Sequence, residues 1–457
     1  MKYTMTFRET DYAALTSHLF VDRTVERAAY ALCRVSSTDS EIRLLVTEVM
    51  LVTEDVLEAT ATGMSIANVS FLRAMKNADQ SGRTFVFIHS HPEGYPSHSA
   101  RDDEEEKELF SLAYRRVRTA GPHASIVFSS ADMPVGRVWL KDGVTAPIEK
   151  IRVIGSSFKF YNQGVGSTVP ISFFDRQVRA FGVDIQRVLG GLCVGVVGAG
   201  GTGSAVIEQL ARLGIGRIAI FDGQTFEETN VNRVYGSSVS DKGVPKVLIA
   251  KGNCDAIGLG TLVEETESQI TYEEVARKLR NCDIIFGCTD DEWGRSILSR
   301  LAVYYAIPVF DMGVKIHSED GQIKSVQGRV TTLLPDEACL YCRGRISAAK
   351  IQAEMMSELD PDGLGRLQRE GYAQELEDTA PAVIPFTTTV ASLAVTELLN
   401  RLTGFMGNDR VSNEVIVSFD NTRLNTNRRR PLDGCFCGST EDIMRGDTNP
   451  FLDITWR

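Results

Sequence analysis

A glycine-rich turn between an apolar strand and a helix constrains the fold of this chain more than any other feature. The apolar run from Leu192 to Val197 is followed by Gly198-Ala199-Gly200-Gly201-Thr202-Gly203, by a helical run from Ser204 to Leu213, and by a second strand from Arg217 to Asp222. A strand, a helix and a strand in this order form a βαβ unit, whose strands run parallel. The second half of the chain is therefore predicted to be an α/β domain with a mostly parallel sheet and helices on its faces.

The same turn has the chemistry of a phosphate-binding site. Backbone N–H groups at the start of a helix attract anions, and glycines let a phosphate approach them closely. Gly198, Gly200 and Gly203 also match the G-x-G-x-x-G fingerprint of dinucleotide-binding folds, in which Asp222 would hold a ribose. From these residues alone, a nicotinamide-dependent dehydrogenase and an ATP-using enzyme both stay open.

The polar residues that follow the second strand favour ATP. Asn230, Arg233 and Lys246 come next, and Asp290 follows a later strand-like run. Two cations and an amide suit a triphosphate better than a pyrophosphate bridge, and an aspartate at a strand end suits magnesium. A hydride-transfer site needs none of these groups, so the sequence predicts a site for ATP and Mg²⁺.

This series of residues resembles the ThiF/MoeB and ubiquitin-activating-enzyme adenylation family, from about residue 171 to the end of the chain. The resemblance implies a Rossmann-like fold in which Asp222 holds the ribose and Asp290 holds magnesium near the reacting phosphate. It also implies that Arg176 reaches into the active site of a partner subunit, so that the protein is a homodimer. The remaining nucleotide contacts that it implies are Gly198, Gly200, Gly201, Gly203, Asn230, Arg233 and Lys246.

Two departures from the family pattern bear on the chemistry. Gln224 stands where the family has a second acid, which is expected to weaken the ribose or metal contacts. Residues 343–434 hold no cysteine, and Asp378-Thr379-Ala380-Pro381 stands in the segment where thioester-forming members carry one. Adenylation without an enzyme thioester is therefore expected, and a thioester on another cysteine stays open.

Two close pairs of cysteines resemble the structural zinc site of this family. Cys339 and Cys342 have the C-x-x-C spacing, whereas Cys435 and Cys437 have a C-x-C spacing where C-x-x-C is usual. Four thiolates from two distant pairs would bind a structural zinc ion and tie the tail to the domain. The alternative is four free thiols.

The first half of the chain carries a second set of metal-ligand residues. His89 and His91 lie at the end of the apolar run from Thr84 to Ile88, and a strand turns residues i and i+2 to one face. With Asp102, which follows at the start of an acidic helix, they leave the fourth tetrahedral position for water, as a catalytic zinc ion requires. The alternative is that Ser99 and Asp102 form only a helix cap.

From about residue 10 to residue 145, this half resembles the JAMM (MPN-plus, or JAB) zinc metalloproteases, whose motif H-x-H-x7-S-x2-D it matches at every position. The resemblance implies that Ser99 donates a hydrogen bond to the oxyanion of the tetrahedral intermediate. It implies that Glu26 is the general base, with Glu41 and Glu48 as alternatives. The surroundings of Glu26 depart from the family pattern, since other residues occupy two positions where glycines are usual.

Length and charge set the outer limits of the interpretation. A chain of 457 residues suits two or three domains, and we expect a JAMM domain over residues 1–149, a linker over 150–170 and an adenylation domain over 171–457. The chain has no apolar run of about eighteen residues and no signal peptide at Met1 to Thr6, so a cytoplasmic protein is expected. A net charge of −11 argues against a nucleic-acid partner.

Together the two resemblances imply one enzyme with two activities on a ubiquitin-like protein that ends in Gly-Gly. The zinc-dependent peptidase would process or release the tail of that protein, and the other half would adenylate its terminal glycine. Participation of a conjugating enzyme stays open. One alternative is the activation of a sulfur carrier for thiocarboxylate formation, and another is a binding scaffold with one degenerate half.

Overall fold

The structure is a computed structural model that describes residues 1–119, 121–162, 171–369, 381–407, 412–454 and 456. The chain divides into two compact units. The first comprises Met1–Val165 with Met444–Thr448, and the second comprises Gly166–Ile443 with Asn449–Arg457. No helix among the described residues combines the length and the apolar character needed to cross a membrane.

The first unit has a mixed α/β architecture with strands at both ends. Its described elements, in chain order, are β1 (Lys2–Arg8), α1 (Glu9–Leu19), β2 (Ala28–Ser37), β3 (Glu41–Leu51), β4 (Val56–Thr60), β5 (Gly63–Ile66), α2 (Asn68–Ser81), β6 (Thr84–Ser90), α3 (Ala100–Arg116), β7 (His123–Phe128), β8 (Pro134–Trp139), β9 (Thr145–Ile154) and β10 (Phe158–Asn162).

The main sheet of the first unit closes on itself. Its strand order is β1-β3-β2-β6-β7-β8-β9-β10, and β1 pairs with β9 as well as with β3. Strands β4 and β5 form a separate hairpin. Strand β6 lies between β2 and β7 and is hydrogen-bonded to both, which fixes the direction of the side chains at its end.

Strand β2 shows how the sequence builds a core on each face of this sheet. Ala29 and Ala31 belong to the apolar cluster that contains the inner side of α1, whereas Tyr30 and Leu32 belong to the cluster that contains α2 and α3. Successive residues of a strand point to opposite faces, so a strand covered on both faces is apolar throughout. All four side chains are almost fully buried.

The expected linker over residues 150–170 is wrong over its first part, because β9 and β10 run through it as strands of the closed sheet. Gly155, Ser156 and Ser157 form the turn between these two strands. There the carboxylate of Glu9 accepts hydrogen bonds from Ser156 and Ser157. The first unit therefore extends past the predicted boundary at residue 149, and residues 163–170 lie outside the described part.

The second unit contains the predicted βαβ element and continues beyond it. Its described helices and strands, in chain order, are α4 (Asp175–Gly191), β11 (Cys193–Val197), α5 (Gly201–Leu213), β12 (Arg217–Phe221), α6 (Lys246–Ile257), β13 (Leu262–Thr266), α7 (Glu273–Lys278), β14 (Ile284–Gly287), α8 (Glu292–Tyr304), β15 (Val309–Glu319), β16 (Gln322–Leu333), α9 (Ala348–Leu359), α10 (Pro361–Arg369), α11 (Ile384–Thr403), β17 (Glu414–Ser418) and β18 (Arg423–Asn427).

The sheet of the second unit is parallel in one half and antiparallel in the other. Its order is β13-β12-β11-β14-β15-β16-β17-β18, with parallel pairs up to β15 and antiparallel pairs from β15 onward. The expectation of a mostly parallel sheet therefore holds for the first five strands of this order. Beyond them, β15 and β16 are joined by the two-residue turn Asp320–Gly321, and so short a connection forces antiparallel pairing.

The strand order reverses between β11 and β14. From β11 the chain builds outward through β12 to β13, and it then returns to add β14 on the other side of β11. In open α/β sheets, ligands bind at such a reversal, outside the carboxyl ends of the strands. The glycine turn that follows β11 lies at this point, as its phosphate-binding chemistry requires.

Close packing of this turn requires glycine at two positions. A Cβ atom on Gly203 would stand 1.8 Å from the carbonyl oxygen of Gly198, which is nearer than any real contact. Gly198 itself has a φ of +93°, and a Cβ atom there would stand 2.9 Å from the carbonyl oxygen of Cys288. Gly200 has open space on the corresponding side. The first turn of α5 is thus seated directly against the loop after β11.

This contrast predicts different effects for the same substitution at two glycines of one turn. Gly203→Ala should destabilise the second unit by about 2 kcal/mol or more, because its methyl group has to displace backbone. Gly200→Ala, the matched control, should cost well under that amount because its methyl group meets no atom within 4 Å. Chemical denaturation of both variants measures the difference, and equal stabilities would contradict the close approach.

Candidate metal and nucleotide sites

Three predicted metal ligands of the first unit lie together. His89 is in β6, His91 follows the end of that strand, and Asp102 is in the first turn of α3. The two Nε2 atoms are 3.1 Å apart. Oδ1 of Asp102 lies 3.2 Å from Nε2 of His89, and its Oδ2 lies 3.4 Å from Nε2 of His91.

These separations fit one metal ion. Metal–ligand distances of about 2.0–2.1 Å around a tetrahedral ion place neighbouring ligand atoms about 3.3 Å apart. Both histidines are buried, and the second ring nitrogen of His91 lies 3.2 Å from the carbonyl oxygen of Tyr95, as is usual for a ligating imidazole. Burial opposes ionisation of Asp102, but its hydrogen bonds with His89 and His91 hold its pKa well below the usual range. The donor set therefore suits a divalent cation such as zinc.

The helix-cap alternative is also present in the structure. The hydroxyl of Ser99 accepts a hydrogen bond from the backbone N–H of Asp102 over 3.2 Å, and Oδ2 of Asp102 accepts one from the N–H of Ser99 over 2.6 Å. This reciprocal pair is a capping box. The cap holds the carboxylate of Asp102 in place beside the two imidazoles, so the cap is compatible with the use of Asp102 as a metal ligand. The oxyanion role of Ser99 stays a prediction.

Glu26 borders the same open cleft as His89, Ser99 and Asp102. Burial raises the pKa of its carboxyl group, and the charges of His89 and His91 partly offset that effect. A carboxyl group in this position can exchange protons nearer to neutral pH than an exposed one. The part of Glu26 as general base stays a prediction.

The two alternative bases are engaged elsewhere. Glu41 is buried between the guanidinium groups of Arg43 and Arg152, at 3.0 and 3.1 Å. Burial opposes its ionisation, but these two cations lower its pKa to about 2. Glu48 pairs with Arg83 at 2.8 Å. Both carboxylates therefore serve ion pairs of the sheet, and Glu26 is the better-placed candidate.

Sequence reasoning missed a buried polar cluster beneath α3. Glu106 lies one helical turn after Asp102 and is 2% exposed. Its Oε2 atom accepts hydrogen bonds from Ser125, Arg137 and Trp139. The cluster fastens the helix that carries Asp102 to β7 and β8. Glu106 lies four residues after Asp102, but one more acid in an acidic helix was a weak signal. Its three hydrogen-bond partners lie far away in the sequence, so no local pattern indicated the cluster.

In the second unit, the glycine turn is in contact with three other predicted regions. The N–H of Ala199 donates to Oδ2 of Asp222 over 2.7 Å, which ties the expected ribose acid to the turn. The close approach of Gly198 to Cys288 brings the turn beside the segment that leads to Asp290. On the other side, the side chain of Arg233 lies along Gly201. The structure thus gathers residues that the sequence separates by up to 90 positions.

Both cations of this site pair with neutral groups. Nη1 of Arg233 donates to the carbonyl oxygen of Thr229 over 2.5 Å and to the side chain of Asn232 over 3.3 Å. Nζ of Lys246 donates to Oε1 of Gln224 over 2.7 Å. Among the described residues, neither cation has a carboxylate within 4.0 Å. In a chain with 60 acids and 49 lysines and arginines, two cations that lack a carboxylate partner make this a candidate anion-binding site.

The remaining predicted nucleotide residues occupy different surroundings. Asn230 is buried, and its side-chain oxygen accepts from the N–H of Glu227 over 3.1 Å, so it shapes the turn that presents Arg233. Asp290 is exposed at the end of the segment after β14. Arg176 is exposed in the first turn of α4 and forms no hydrogen bond or ion pair with another described residue. The structure therefore does not join Arg176 to the site of its own chain.

The sequence analysis also did not predict the role of Glu354. Its carboxylate in α9 accepts hydrogen bonds from the N–H groups of Glu292 and Trp293, over 3.1 and 2.8 Å, and so caps the start of α8. This start directly follows Asp290 and Asp291 in the chain. No local sequence pattern predicts a cap that is supplied from more than 60 residues away.

The segment Asp378-Thr379-Ala380-Pro381 stands where thioester-forming members carry a cysteine. Its residues 378–380 lie outside the described residues.

The four cysteines of the predicted structural zinc site converge. Cys339 Sγ lies 3.8 Å from Cys342 Sγ and 3.6 Å from Cys435 Sγ. Cys437 Sγ lies 3.6 Å from Cys342 Sγ and 3.5 Å from Cys435 Sγ. Zinc–sulfur bonds of about 2.3 Å at tetrahedral angles place sulfur atoms about 3.8 Å apart. The unusual C-x-C spacing thus still delivers both sulfurs to one centre.

Backbone donors support negative charge on these sulfurs. The N–H of Cys339 points to Sγ of Cys437 over 3.5 Å, and that of Leu432 points to Sγ of Cys342 over 3.3 Å. Hydrogen bonding between Cys339 and Cys437 lowers the pKa of Cys339 to about 5 and raises the pKa of Cys437, so Cys339 is the thiolate of this pair. The donor set fits a structural zinc ion, which is bound by thiolates.

Comparison with known proteins assigns the second unit. The model of the ThiF family matches residues 174–436, which is more than half of the chain. The SAMP-activating enzyme E1 of Haloferax volcanii is 29% identical over 147 residues, covering 32% of this chain and 51% of that protein. The sulfur carrier protein adenylyltransferase of Thermus thermophilus is 30% identical over 142 residues, covering 31% of this chain and 52% of that protein.

A third relative gives the same picture. The molybdopterin-synthase adenylyltransferase of Escherichia coli K12 is 29% identical over 175 residues, covering 38% of this chain and 68% of that protein. The chain spans about half the length of the first two of these relatives. A solved structure of E. coli MccB with MccA-N7isoASN is 16% identical, with a TM-score of 0.47, covering 59% of this chain and 77% of that one; so weak a likeness supports no argument.

The convergence of four sulfurs predicts one zinc ion in the second unit. Cys437→Ser should remove one equivalent of zinc from the purified protein, because oxygen is a poor substitute for a thiolate in such a site. Cys254→Ser is the matched control, since this buried cysteine lies outside the cluster. Elemental analysis after dialysis measures the difference. Equal zinc content in both variants would mean that the four thiols are free.

Proposed function

The chain belongs to the ThiF family, and on that basis we propose that it adenylates the C-terminal glycine of a ubiquitin-like protein. The observation that carries this proposal is that Arg233, beside the glycine turn, and Lys246, which Gln224 links to Asp222, meet only neutral partners among the described residues. The names of its relatives, two of which are adenylyltransferases, support the same reaction.

In this reaction the terminal carboxylate attacks the α-phosphate of ATP. A bond forms between the carboxylate oxygen and phosphorus, and the bond to the bridging oxygen breaks, so that pyrophosphate leaves. Arg233 and Lys246 offset the charge that collects on the polyphosphate, while Asp222 orients the ribose. Asp290 would hold a magnesium ion, which supplies further positive charge at the phosphates. The site as a whole would hold the attacking carboxylate in line with the bond between the α-phosphorus and the bridging oxygen.

Exchange of labelled pyrophosphate into ATP tests the adenylation step. With a ubiquitin-like protein ending in Gly-Gly, the wild type should catalyse exchange, and Asp290→Asn should slow it by on the order of 100-fold, as for other charge-stabilising groups. Asp320→Asn, in the exposed turn between β15 and β16, is the control and should leave the rate unchanged. Absence of exchange with the wild type would argue against the proposal.

We further propose that the first unit is a zinc-dependent peptidase or isopeptidase of the JAMM type. His89, His91 and Asp102 would hold the metal, which supplies a polarised water molecule for attack on the peptide carbonyl. Glu26 would take a proton from that water and deliver it to the leaving amine. The separations among the three ligands and the shared cleft with Glu26 support this proposal.

Removal of the two imidazoles separates this activity from the rest of the protein. The variant His89→Ala with His91→Ala should lose one of two zinc equivalents and keep the ion of the four cysteines. Cleavage of a ubiquitin-like protein joined through Gly-Gly to a reporter peptide should fall by more than about 100-fold, since even residues that only orient ligands cost about 10–100-fold. His317→Ala, at the exposed end of β15, is the control. A wild type that binds one zinc ion and cleaves nothing would contradict the proposal.

The simplest hypothesis for a chain with these two units is that both act on the same ubiquitin-like protein. The peptidase would expose or release a Gly-Gly end, and the adenylating unit would activate it. We also propose a homodimer in which Arg176 acts in the partner's site. A conjugating enzyme would accept the activated protein if the pathway is one of conjugation.

A second candidate is the activation of a sulfur carrier. The name of the Thermus thermophilus relative favours it, and so does the absence of any cysteine from residues 343–434, where thioester-forming members carry one. A sulfide-level sulfur donor would then attack the acyl carbon of the adenylate, a carbon–sulfur bond would form, AMP would leave, and the glycine would end as a thiocarboxylate. Mass spectrometry of the partner after reaction distinguishes an adenylate from a thiocarboxylate. A scaffold without catalysis would give neither product.

A further inference from the structure

Gln224, in the turn after β12, connects the two ends of the proposed nucleotide site. Its backbone N–H donates to Oδ1 of Asp222 over 2.8 Å, and its side-chain Oε1 accepts from Nζ of Lys246 over 2.7 Å. Its carbonyl oxygen also accepts from the backbone N–H of Lys246 over 3.1 Å. One residue therefore joins the carboxylate assigned to the ribose with the ammonium assigned to the phosphates.

The neutral character of Gln224 matters because Lys246 is nearly buried. Lys246 is 8% exposed, and within the described part of the chain its ammonium has no hydrogen-bond partner other than this amide. A glutamate at position 224 would have the same length and shape and would reach the same ammonium. It would pair with that charge internally, whereas the amide leaves the full charge to an incoming anion.

Lys246 also stands at the start of α6, where its own position adds to the effect. It is the first residue of that helix, and no side chain caps the helix start. The backbone N–H of Lys246 donates to Gln224 and that of Leu248 to Pro245, and the aligned peptide dipoles still give the helix start a partial positive charge. The ammonium and the helix start thus act together on an anion, and Arg233 contributes a second cation that is paired only with neutral groups.

We propose that the neutral charge of residue 224 sets the affinity of this site for ATP in the absence of a divalent cation. Because Gln224 brings no counter-ion to Lys246, the full charge of that ammonium is available to the polyphosphate. This inference rests on the proposed adenylation function, because it takes Asp222 and Lys246 as nucleotide contacts. It assigns the side chain of Gln224 to the phosphate end of the site, whereas its position in the sequence suggested an effect on the ribose or metal contacts.

Calorimetric titration of the full-length protein with ATP in EDTA tests this role. The wild type should bind ATP without metal, and Gln224→Glu should raise the Kd by on the order of tenfold, because the new carboxylate competes with the phosphates for one cation. Gln322→Glu is the matched control. Gln322 also accepts from a lysine, Lys324, over 3.4 Å, but it does so on an exposed hairpin away from the glycine turn.

A second variant separates the charge of residue 224 from its hydrogen bond. Gln224→Met removes the acceptor without adding charge, and its Kd for ATP in EDTA should stay within about threefold of the wild type, because Lys246 still meets no counter-ion. A loss with Gln224→Met as large as that with Gln224→Glu would overturn the inference, since the hydrogen bond would then be the cause.

Two further outcomes separate this inference from the proposed function. A wild type that binds ATP with magnesium but not in EDTA would overturn the inference and leave the adenylation function standing, and so would equal affinities for the wild type and Gln224→Glu. A wild type that binds no ATP with or without magnesium would instead overturn the proposed function itself.

Discussion

The seating of helix α5 against the loop after β11 is the constraint on which the second unit depends. Gly203 and Gly198 approach so closely that no side chain fits between them. This contact puts the first turn of the helix at the point where the strand order reverses, and it leaves Gly200 facing open space. Three of the features assigned to the nucleotide are arranged around that turn: Asp222 hydrogen-bonds to it, Arg233 lies along it, and the segment after β14 lies next to it.

Charge is used in two ways in this protein. Buried charged groups are matched in both units, as in the ion pairs of Glu41 in the first unit and in the pair of Glu397 and Arg401 in the second. Among the described residues, Arg233 and Lys246 instead meet only neutral acceptors. Such cations are available to an anion from outside, and the polyphosphate of a nucleotide is the anion that we propose.

The cluster of His89, His91 and Asp102 shows how local and distant interactions share one side chain. Asp102 closes a capping box with Ser99, which is a purely local arrangement. The same carboxylate faces two imidazoles, of which His89 is in β6 and His91 follows that strand. The cap fixes the orientation of the carboxylate toward both imidazoles. The four cysteines achieve the same convergence by another route, since two short turns from distant parts of the chain bring their sulfurs to one centre.

The sequence by itself determined the elements whose causes are local: the βαβ unit, the glycine turn, the paired histidines on one face of a strand, and the capping residues of α3. It also identified the candidate site residues that the structure brings together, because the spacing of residues within a motif can be read directly from the chain. Only the tertiary structure decided that residues 150–162 continue the first sheet, that Glu41 and Glu48 are bound in ion pairs, and that Gln224 bridges Asp222 and Lys246. Glu106 and Glu354 belong to the same class. Each of these features depends on contacts between segments that are far apart in the chain. A pattern of neighbouring residues does not indicate which distant segment will pack against them.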